Sequence, residues 1–484
     1  MFLEPYWPHI LFVLSLLLGV PAAIHAAMTK EEVRSAIGWV GIIILSPIVG
    51  ALLYFIAGIN RIRRSSISDR RFLLQGHVRD HFDTYDATDE MVGEQFGGRF
   101  VAMKTLGDRV TGHTLTTGNE ITELTTGDDA YGAMLKVIGE ASRSILLETY
   151  IFDRDRIGCR FAEALIAAVQ RGVTVRVLID AVGARYSVPS VLGMLGDGGV
   201  TVDVFNGNVI MGLRLPYANL RTHRKIMVVD GATAFTGGMN LREGFSAEFF
   251  GKGCSGDTHF RVTGPVVADL FAIAAADWRF AAGEDLQGDA WGIVPPSTDP
   301  GSPVAIRPVS SGPDRSVETN HKMLMGAFSI ARNSIRIASP YFLPDRELIT
   351  ALITAARRGV EVDIVVPQTN NLTLVDRAMT GQFDQLLKNY CRIWRASGAF
   401  NHSKLMAIDG RWAFVGSSNL DPRSLRLNFE IDLEVMDRSF AQGLERRIDI
   451  AISTARQVTL DDLTNRPFPA RLLDRILWLG SPYL

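Results

Sequence analysis

The chain has 484 residues and a formal net charge of −2 at pH 7. This length is too great for one ordinary hydrophobic core, so we expect two domains of similar size. The nearly balanced charge excludes the global basic field that holds nucleic acid, and no nucleic-acid partner is predicted.

Two apolar stretches occupy the first sixty residues. Residues 5–29 and 36–60 contain no Asp, Glu, Lys or Arg, and each is long enough to cross a hydrocarbon core of about 30 Å as a helix. A cleaved signal peptide is the alternative for the first stretch, but no basic residue precedes Lys30, and such peptides begin with basic residues. We therefore predict two transmembrane helices within residues 1–60.

Basic residues directly after the second stretch predict the orientation. The cluster comprises Arg61, Arg63, Arg64, Arg70 and Arg71. Because basic residues accumulate on the cytoplasmic side, we expect a multi-pass membrane protein whose large C-terminal part faces the cytoplasm. Residues 61–110 show no clear pattern and are predicted to form a juxtamembrane connector.

The rest of the chain contains one pattern twice. SILLETYIF at 144–152 precedes a helical pattern closed by glycine and a second apolar run at 174–183; SIRIASPYF at 334–342 is followed in the same way by a run at 361–367. Each copy is typical of a βαβ unit. This order predicts an α/β fold with mixed, largely parallel β-sheets flanked by helices.

A segment rich in Gly, Pro, Ser and Asp separates the two copies. It covers residues 283–315, and such composition marks a loop between packed elements. We predict a first α/β domain at 111–290 and a second at 291–484, related by pseudo-twofold symmetry.

Each copy also contains a candidate hairpin with the same polar residues. The two stretches are THRKIMVVDGATAFTGGMN at 222–240 and NHSKLMAIDGRWAFVGSSN at 401–419. The matching pairs at identical offsets are His223 and His402, Lys225 and Lys404, Asp230 and Asp409, and Asn240 and Asn419. A lone histidine in a strand is usually structural, but two copies with the same spacing argue against that interpretation.

Strand geometry separates the roles within each hairpin. Side chains two residues apart on a strand share a face, so His223 projects together with Lys225, and His402 with Lys404. Asp230 and Asp409 each lie in an Asp-Gly pair, which is typical of a tight turn. We include both aspartates in the candidate catalytic set, but only in supporting roles, because such an aspartate often stabilises its own turn.

The histidine and lysine chemistry suits a phosphate diester. A lysine offers positive charge to phosphate oxygens, and an imidazole attacks phosphorus or moves a proton. Gly237-Gly238 and Gly416-Ser417-Ser418 permit close backbone approach, and Asn240 and Asn419 are candidate hydrogen-bond donors to the anion. Neither a carboxylate cluster nor cysteine spacing suggests a metal site, so we predict a mechanism without metal or cofactor.

These residues resemble those of the phospholipase D superfamily, and more narrowly its bacterial cardiolipin synthases. The resemblance rests on HxKxxxxD twice in one chain and covers nearly the whole sequence. It also includes the two apolar N-terminal stretches, YIF at 150–152, Ser311-Gly312-Pro313, SPYFLP at 339–344 and GSSNLDPRSLRLNFE at 416–430.

The resemblance implies a ping-pong reaction on phosphatidylglycerol within a lipid bilayer. His223 attacks phosphorus to form a phosphatidyl-histidine while His402 protonates the departing glycerol. His402 then deprotonates a hydroxyl of a second phosphatidylglycerol, and cardiolipin forms.

The resemblance also implies supporting residues. In this family a carboxylate downstream of each motif orients its histidine, and Asp257 takes that place in the first half and Glu430 in the second. The supporting and substrate-binding set is Asn240, Asn419, Asp257, Glu430, Gly238 and Ser418. Thr222 and Cys254-Ser255-Gly256 depart from the family pattern, and they leave the acceptor open.

Other functions remain as alternatives. A phospholipase D that transfers the phosphatidyl group to water, or a transphosphatidylase with another acceptor, would use the same histidines. A nuclease needs a basic groove that the sequence lacks, and a non-catalytic scaffold is at odds with two intact His-Lys pairs. The C-terminal segment 471–479 is apolar on one helical face and either packs on the domain or touches the membrane. The oligomeric state is left open.

Overall fold

The computed structural model describes residues 6–30, 33–58, 82–206, 220–296, 299, 304–313 and 316–481. Internal contacts divide the chain into an N-terminal unit, which includes residues 1–63, and a larger unit that contains both repeat copies. The arginines predicted to lie at the cytoplasmic surface, residues 61 to 71, lie outside the described residues.

The N-terminal unit contains one long helix followed by a broken one. Helix α1 spans Trp7–Thr29 and is, within the described residues, the one helix long and apolar enough to cross a membrane. The second predicted span forms α2 (Val33–Leu45), α3 (Pro47–Leu53) and a π-helical turn (Tyr54–Gly58). The break lies at Ser46, whose φ and ψ are −145° and 81°, because Pro47 has no N–H to continue the helix.

Helices α2 and α3 fold back against α1. A Cβ at Gly19 would lie 2.9 Å from the Cβ of Pro47, so the glycine permits close approach. His25 Nδ1 lies 2.8 Å from the Tyr54 hydroxyl, and Trp39 packs edge-on against the same tyrosine ring. The second stretch therefore pairs with the first, although it is not one continuous helix.

The larger unit is an α/β structure. Its helices are α4 (Asp89–Phe96), α5 (Gly98–Thr111), α6 (Gly127–Glu140), α7 (Arg156–Gln170), α8 (Val191–Asp197), α9 (Ala247–Phe250), α10 (Val266–Ala282), α11 (Thr319–Ile330), α12 (Arg346–Arg357), α13 (Thr373–Leu387), α14 (Pro422–Arg426), α15 (Arg438–Ser453), α16 (Leu460–Thr464) and α17 (Phe468–Leu479). Its strands are β1 (Glu120–Leu124), β2 (Ser144–Thr149), β3 (Thr174–Asp180), β4 (Thr201–Phe205), β5 (Arg221–Thr222), β6 (Ile226–Val229), β7 (Thr233–Gly237), β8 (His259–Thr263), β9 (Ala305–Ser311), β10 (Ser334–Ala338), β11 (Glu361–Pro367), β12 (Arg392–Ala396), β13 (Leu405–Ile408), β14 (Trp412–Gly416), β15 (Asn428–Met436) and β16 (Arg456–Val458).

The two halves repeat the same sheet. The first sheet has the order β1-β8-β7-β6-β2-β3-β4, and the second has β16-β12-β11-β10-β13-β14-β15, with β9 beside β15. Strand β6 therefore corresponds to β13, β7 to β14 and β8 to β15, which confirms the predicted repeat. Each half buries a large apolar cluster of its own.

The sheets are mixed, as predicted, but antiparallel pairings dominate. The parallel pairs are β2–β3 and β3–β4 in the first sheet. In the second they are β10–β11, β11–β12 and the short pair β5–β15. The expectation of a largely parallel sheet was wrong. It extended the βαβ pattern to the whole domain, whereas after β4 and β12 the chain returns through hairpins, which pair antiparallel.

The predicted connector contributes to the core. Its described part forms α4 and α5, and Phe96, Phe100 and Met103 are buried in the apolar cluster of the second half. Thr88 caps α4 by accepting a hydrogen bond from the Met91 N–H. This part of the chain is therefore structural and not merely a tether.

The two halves are joined directly beside the histidines. Strand β5 pairs in parallel with the start of β15, and a single bridge joins Gly256 to Asn401. The His223 N–H donates to the Phe429 carbonyl (2.8 Å) and the His402 N–H to the Gly256 carbonyl (2.7 Å). Each histidine is thus held by backbone of the opposite half.

Candidate active site

The two hairpins form as predicted. Asp230 and Gly231 have φ of 53° and 60°, and Asp409 and Gly410 have φ of 53° and 56°. Positive φ at both central residues is the requirement of a tight two-residue hairpin turn, and Asp-Gly meets it at little cost. Each turn lies at one end of the hairpin, and the histidine and lysine lie at the other end.

The two hairpin aspartates do not reach the histidines. Asp230 accepts hydrogen bonds from the N–H groups of Ser142, Arg143 and Ser144 at 2.8 to 2.9 Å. Asp409 does the same for residues 332–334, with distances of 2.7 to 3.0 Å. The four residues of strand β6 or β13 lie between each lysine and its aspartate, which places the two residues roughly 16 Å apart. The aspartates therefore fix the starts of β2 and β10, and their place in the candidate catalytic set is corrected to a structural one.

Both histidines open into one cavity. The cavity measures about 860 Å³, and its lining includes His223, His402, Asn240 and Asn419. The histidine and asparagine predicted in each hairpin therefore meet their counterparts from the other half in one cavity. A space of this size accommodates a lipid headgroup.

A lysine amine lies beside each histidine. Lys225 Nζ donates to the His223 carbonyl (2.6 Å) and lies 5.5 Å from the centroid of the Tyr150 ring. Lys404 Nζ lies 2.8 Å from Nδ1 and 3.1 Å from Nε2 of His402. Both side chains are buried, so their charge acts in a medium of low polarity.

The orienting carboxylates cross between the halves. Glu430 Oε2 lies 2.9 Å from His223 Nδ1, and Asp257 Oδ2 lies 2.8 Å from His402 Nδ1. Each carboxylate thus serves the histidine of the other half, not of its own as the resemblance implied. The backbone pairing explains this crossing. Glu430 directly follows Phe429, whose carbonyl accepts the His223 N–H, and Asp257 directly follows Gly256, whose carbonyl accepts the His402 N–H. With Nδ1 engaged, Nε2 is the atom left for chemistry.

Burial sets the charge of the site. Burial, together with the charges of Lys225 and Lys404, lowers the pKa of His223 well below its ordinary value. Burial and the charge of Lys404 together lower the pKa of His402 to about 4. Burial also lowers the pKa of Lys404 to about 8 and lowers that of Lys225. An anionic phosphate between these groups raises the pKa values of the histidines and lysines again, because a nearby negative charge favours their protonated forms.

The two carboxylates respond to burial differently. Burial raises the pKa of Glu430 in spite of Lys225. The pKa of Asp257 is held below its usual value, because Lys404 and His402 outweigh the effect of burial. The partner of His402 therefore keeps its negative charge firmly, which helps that histidine to accept a proton.

Gly238 leaves room for one of these carboxylates. A Cβ at this position would lie 2.3 Å from Asp257 Oδ1. The glycine predicted to allow close approach to the substrate instead allows the approach of the carboxylate that orients His402.

Ser418 does not contribute as predicted. Its hydroxyl donates to Asp432 and accepts from Asn320 Nδ2 (2.6 Å), away from the cavity. The residue before it, Ser417, donates to Glu430 Oε2 (2.6 Å) instead. The signal was present in the Gly-Ser-Ser-Asn stretch, but sequence alone did not tell which serine faces the site.

Two further buried acids support His223. The Thr222 N–H donates to Asp180 Oδ2 (3.0 Å), and its hydroxyl donates to Glu148. Burial raises the pKa of Asp180 to about 6. Thr222, which departs from the family pattern, is therefore bonded through both its backbone and its side chain, directly before His223.

Two other histidines lie outside this site. His259 is buried in β8, and burial lowers its pKa to about 4. His321 pairs with Asp345 (3.1 Å) and Glu347 (3.3 Å). Neither lines the cavity, so the geometry gives them structural roles.

Comparison with known proteins identifies the family. A family model described as "Cardiolipin synthase, PLD-like domain" matches residues 134–246 and 324–450, and one described as "Phospholipase_D-nuclease N-terminal" matches residues 17–58. A cardiolipin synthase of Alkalihalophilus pseudofirmus is 30% identical over 92% of this chain and 88% of its own length. Cardiolipin synthase A of Cronobacter sakazakii is 30% identical over 99% of this chain and 98% of its own length.

A solved structure shows the same fold. A phosphatidylserine synthase from Haemophilus influenzae matches with a TM-score of 0.57 at 17% identity, over 79% of this chain and all of the other. At this level of identity the match concerns the fold alone.

Proposed function

The chain belongs to the phospholipase D-like family of cardiolipin synthases, and we propose that it transfers a phosphatidyl group from one phosphatidylglycerol to another, giving cardiolipin and glycerol. One observation carries the proposal: two histidines face one cavity, and the Nδ1 of each is bonded to a buried carboxylate. Such a pair supplies a nucleophile and a proton donor on opposite sides of one phosphorus atom.

The first step cleaves the donor lipid. Nε2 of His223 attacks phosphorus and forms a P–N bond while the P–O bond to glycerol breaks. His402, protonated once the anionic diester is bound, donates its proton to the departing oxygen. Glu430 stabilises the positive charge that develops on His223, because it accepts the Nδ1–H.

The second step forms the product. Neutral His402 takes the proton from the terminal hydroxyl of a second phosphatidylglycerol. The resulting oxygen nucleophile attacks phosphorus, and the P–N bond to His223 breaks, which returns both histidines to their starting states. Lys225 and Lys404 balance the charge of the phosphate oxygens throughout, and Asn240 and Asn419 donate hydrogen bonds to them.

The surroundings of His402 favour transfer over hydrolysis. The rings of Phe245, Phe400 and Tyr341 lie 5.9 to 6.2 Å from the imidazole ring, measured between centroids. Apolar surface around the proton-transfer residue disfavours a free water molecule and suits the glycerol of a lipid whose chains extend outward. A phospholipase D that releases phosphatidic acid is therefore the less favoured function.

We further propose a multi-pass location in the bacterial inner membrane, with the catalytic halves on the cytoplasmic side. The length and apolarity of α1 support a membrane span, and the apolar α2 and α3 pair with it. The arginines of residues 61–71 support the orientation. We keep residues 290 and 291 as the proposed boundary between the halves, which assigns Ser311-Gly312-Pro313 to the second half.

The direct test is product analysis with the full chain in phosphatidylglycerol nanodiscs. Labelled substrate should yield cardiolipin and glycerol in equal amounts, and phosphatidic acid as sole product would refute the synthase. His223→Ala and His402→Ala should each abolish turnover. His321→Gln is the matched control, because this histidine lies outside the cavity, and it should retain activity.

A further inference from the structure

The C-terminal helix α17 is apolar on two opposite faces. Its inner face carries Leu477 and Trp478, which pack against the core of the second half beside α13. Buried Asp474 fixes this face through ion pairs with Arg377 (3.3 Å) and Arg466 (2.5 Å). The helix therefore packs on the domain, which was one of the two alternatives for residues 471–479.

The outer face of α17 is exposed. It carries five large apolar side chains that are between 42% and 72% exposed: Phe468, Leu472, Leu473, Ile476 and Leu479. At 100° per residue these positions form one stripe opposite Asp474. A contiguous apolar patch of this kind on a folded protein marks an interaction surface.

The C-terminal end of this stripe lies near the mouth of the catalytic cavity. Ser481, two residues after the end of α17, lines the cavity, and so do the exposed Leu372, Tyr186 and Phe250. Among the described residues of the larger unit, 13 large apolar side chains are exposed. Five of them are on α17, and another five line the mouth or lie within two residues of it. Exposed apolar surface is thus concentrated where a lipid would enter.

Basic residues border the stripe on one side. Arg471 and Arg475 occupy the helix positions next to it, and the Arg475 guanidinium lies 5.4 Å from the Trp478 ring centroid. An apolar stripe with arginines at its edge is the pattern of a helix that lies in the headgroup region of an anionic bilayer.

We propose that the outer face of α17 and the exposed apolar rim of the cavity insert into an anionic phospholipid bilayer, so that substrate lipid enters the cavity without leaving the membrane. The proposal adds a membrane contact of the catalytic unit, and its link to lipid entry rests on the proposed function. A second copy of the chain is the competing occupant, and the test below distinguishes it.

The first measurement is independent of catalysis. The full chain in phosphatidylglycerol nanodiscs is labelled with an environment-sensitive fluorophore at Leu472→Cys or, as the matched control, at Ile450→Cys on α15, which is 69% exposed outside the patch. Lipids brominated on their chains should quench the label at 472 at least threefold more than at 450. Equal quenching by brominated lipid, or shielding at 472 from both brominated lipid and iodide, overturns the proposal; the latter would indicate a second copy.

The second measurement connects the surface to turnover. Leu472→Ser/Ile476→Ser should lower the rate on bilayer phosphatidylglycerol at least fivefold and leave the rate on a soluble short-chain phosphatidylglycerol unchanged. Ile450→Ser should alter neither rate. Equal loss on both substrates would indicate a folding or catalytic defect and would contradict the proposal. If the wild type makes no cardiolipin, the proposed function fails, while the quenching result still decides the membrane contact.

Discussion

Replacing Glu430 by Gln tests the crossed arrangement of the site. The carboxylate accepts hydrogen bonds at Oε2 from His223 Nδ1 (2.9 Å) and Ser417 Oγ (2.6 Å), and at Oε1 from Asn428 Nδ2 (3.2 Å). Gln places an NH2 group at one of these oxygens, where it faces a donor. If it faces His223, the ring proton moves to Nε2 and the nucleophile is lost.

The expected loss follows from these contacts. A hydrogen bond to a charged group contributes about 1.5–3 kcal/mol, and the charge that develops on His223 loses its counterion as well. Together these correspond to about 3–5 kcal/mol of transition-state stabilisation, or roughly 10²–10⁴ in rate. Cardiolipin formation from labelled phosphatidylglycerol measures it. Asp432→Asn is the matched control on the same buried strand, because Asp432 contacts Ser418 and Asn320 and not a histidine.

An activated substrate separates the two carboxylates. A phosphatidyl ester with a p-nitrophenolate leaving group needs no general acid in the first step. His402→Ala and Asp257→Asn should then release a burst of p-nitrophenolate, whereas His223→Ala and Glu430→Gln should not. If Asp257→Asn behaves like His223→Ala instead, each carboxylate serves its own half and the crossed arrangement is refuted.

The remaining predictions concern stability, packing and charge. Asp409→Ala should lower the free energy of unfolding by about 2–4 kcal/mol, because three backbone N–H groups lose their acceptor, yet the folded fraction should keep its turnover; a full loss of turnover at unchanged melting temperature would contradict this. Gly238→Ala should lower the rate of cardiolipin formation at least a hundredfold, because the new Cβ displaces Asp257. Gly132→Ala is the control, since no atom lies within 4 Å of its new Cβ. Equal rates for the two variants would show that Asp257 can move aside without loss of function. Burial lowers the pKa of Lys404 to about 8, so its cationic, phosphate-binding form is present below that pH and is lost above it. The value of kcat/KM should therefore fall above pH 8. A profile that stays flat to pH 9 would exclude phosphate binding by the Lys404 cation.

Local spacing was sufficient to predict where the two His-Lys pairs lie in the fold. The offsets from His223 to Asn240 and from His402 to Asn419 placed both hairpins, their turns and their His-Lys faces, because these properties depend on neighbours in sequence. The repeat and the mixed α/β class followed from the same local patterns.

Long-range pairing could not be predicted in the same way. The partner of His223 is 207 residues away, and only the junction of β5 with β15 brings it there. The serine that supports Glu430 is Ser417 and not Ser418 as predicted. Both lie just after the end of β14, where the direction of a side chain depends on tertiary contacts. The broken second span has a local cause. Its length and apolarity alone predict one continuous helix, but Pro47 interrupts that helix.

The helices α4 and α5 were missed for a physical reason. Residues 98–111 contain two glycines and several charges, which weaken the helical pattern. Gly107 packs directly against the Arg307 guanidinium, where a Cβ would overlap it. A glycine that reads as a helix breaker is therefore required by a partner two hundred residues away.

The crossed carboxylates also constrain how the gene can diverge. After a duplication, one copy of a domain is usually free to lose its own activity while the other retains it. Here the first half supplies the carboxylate for the second histidine, and the second half supplies the carboxylate for the first. A change that damages either half therefore impairs both steps of the proposed reaction. Selection is expected to maintain the two halves together.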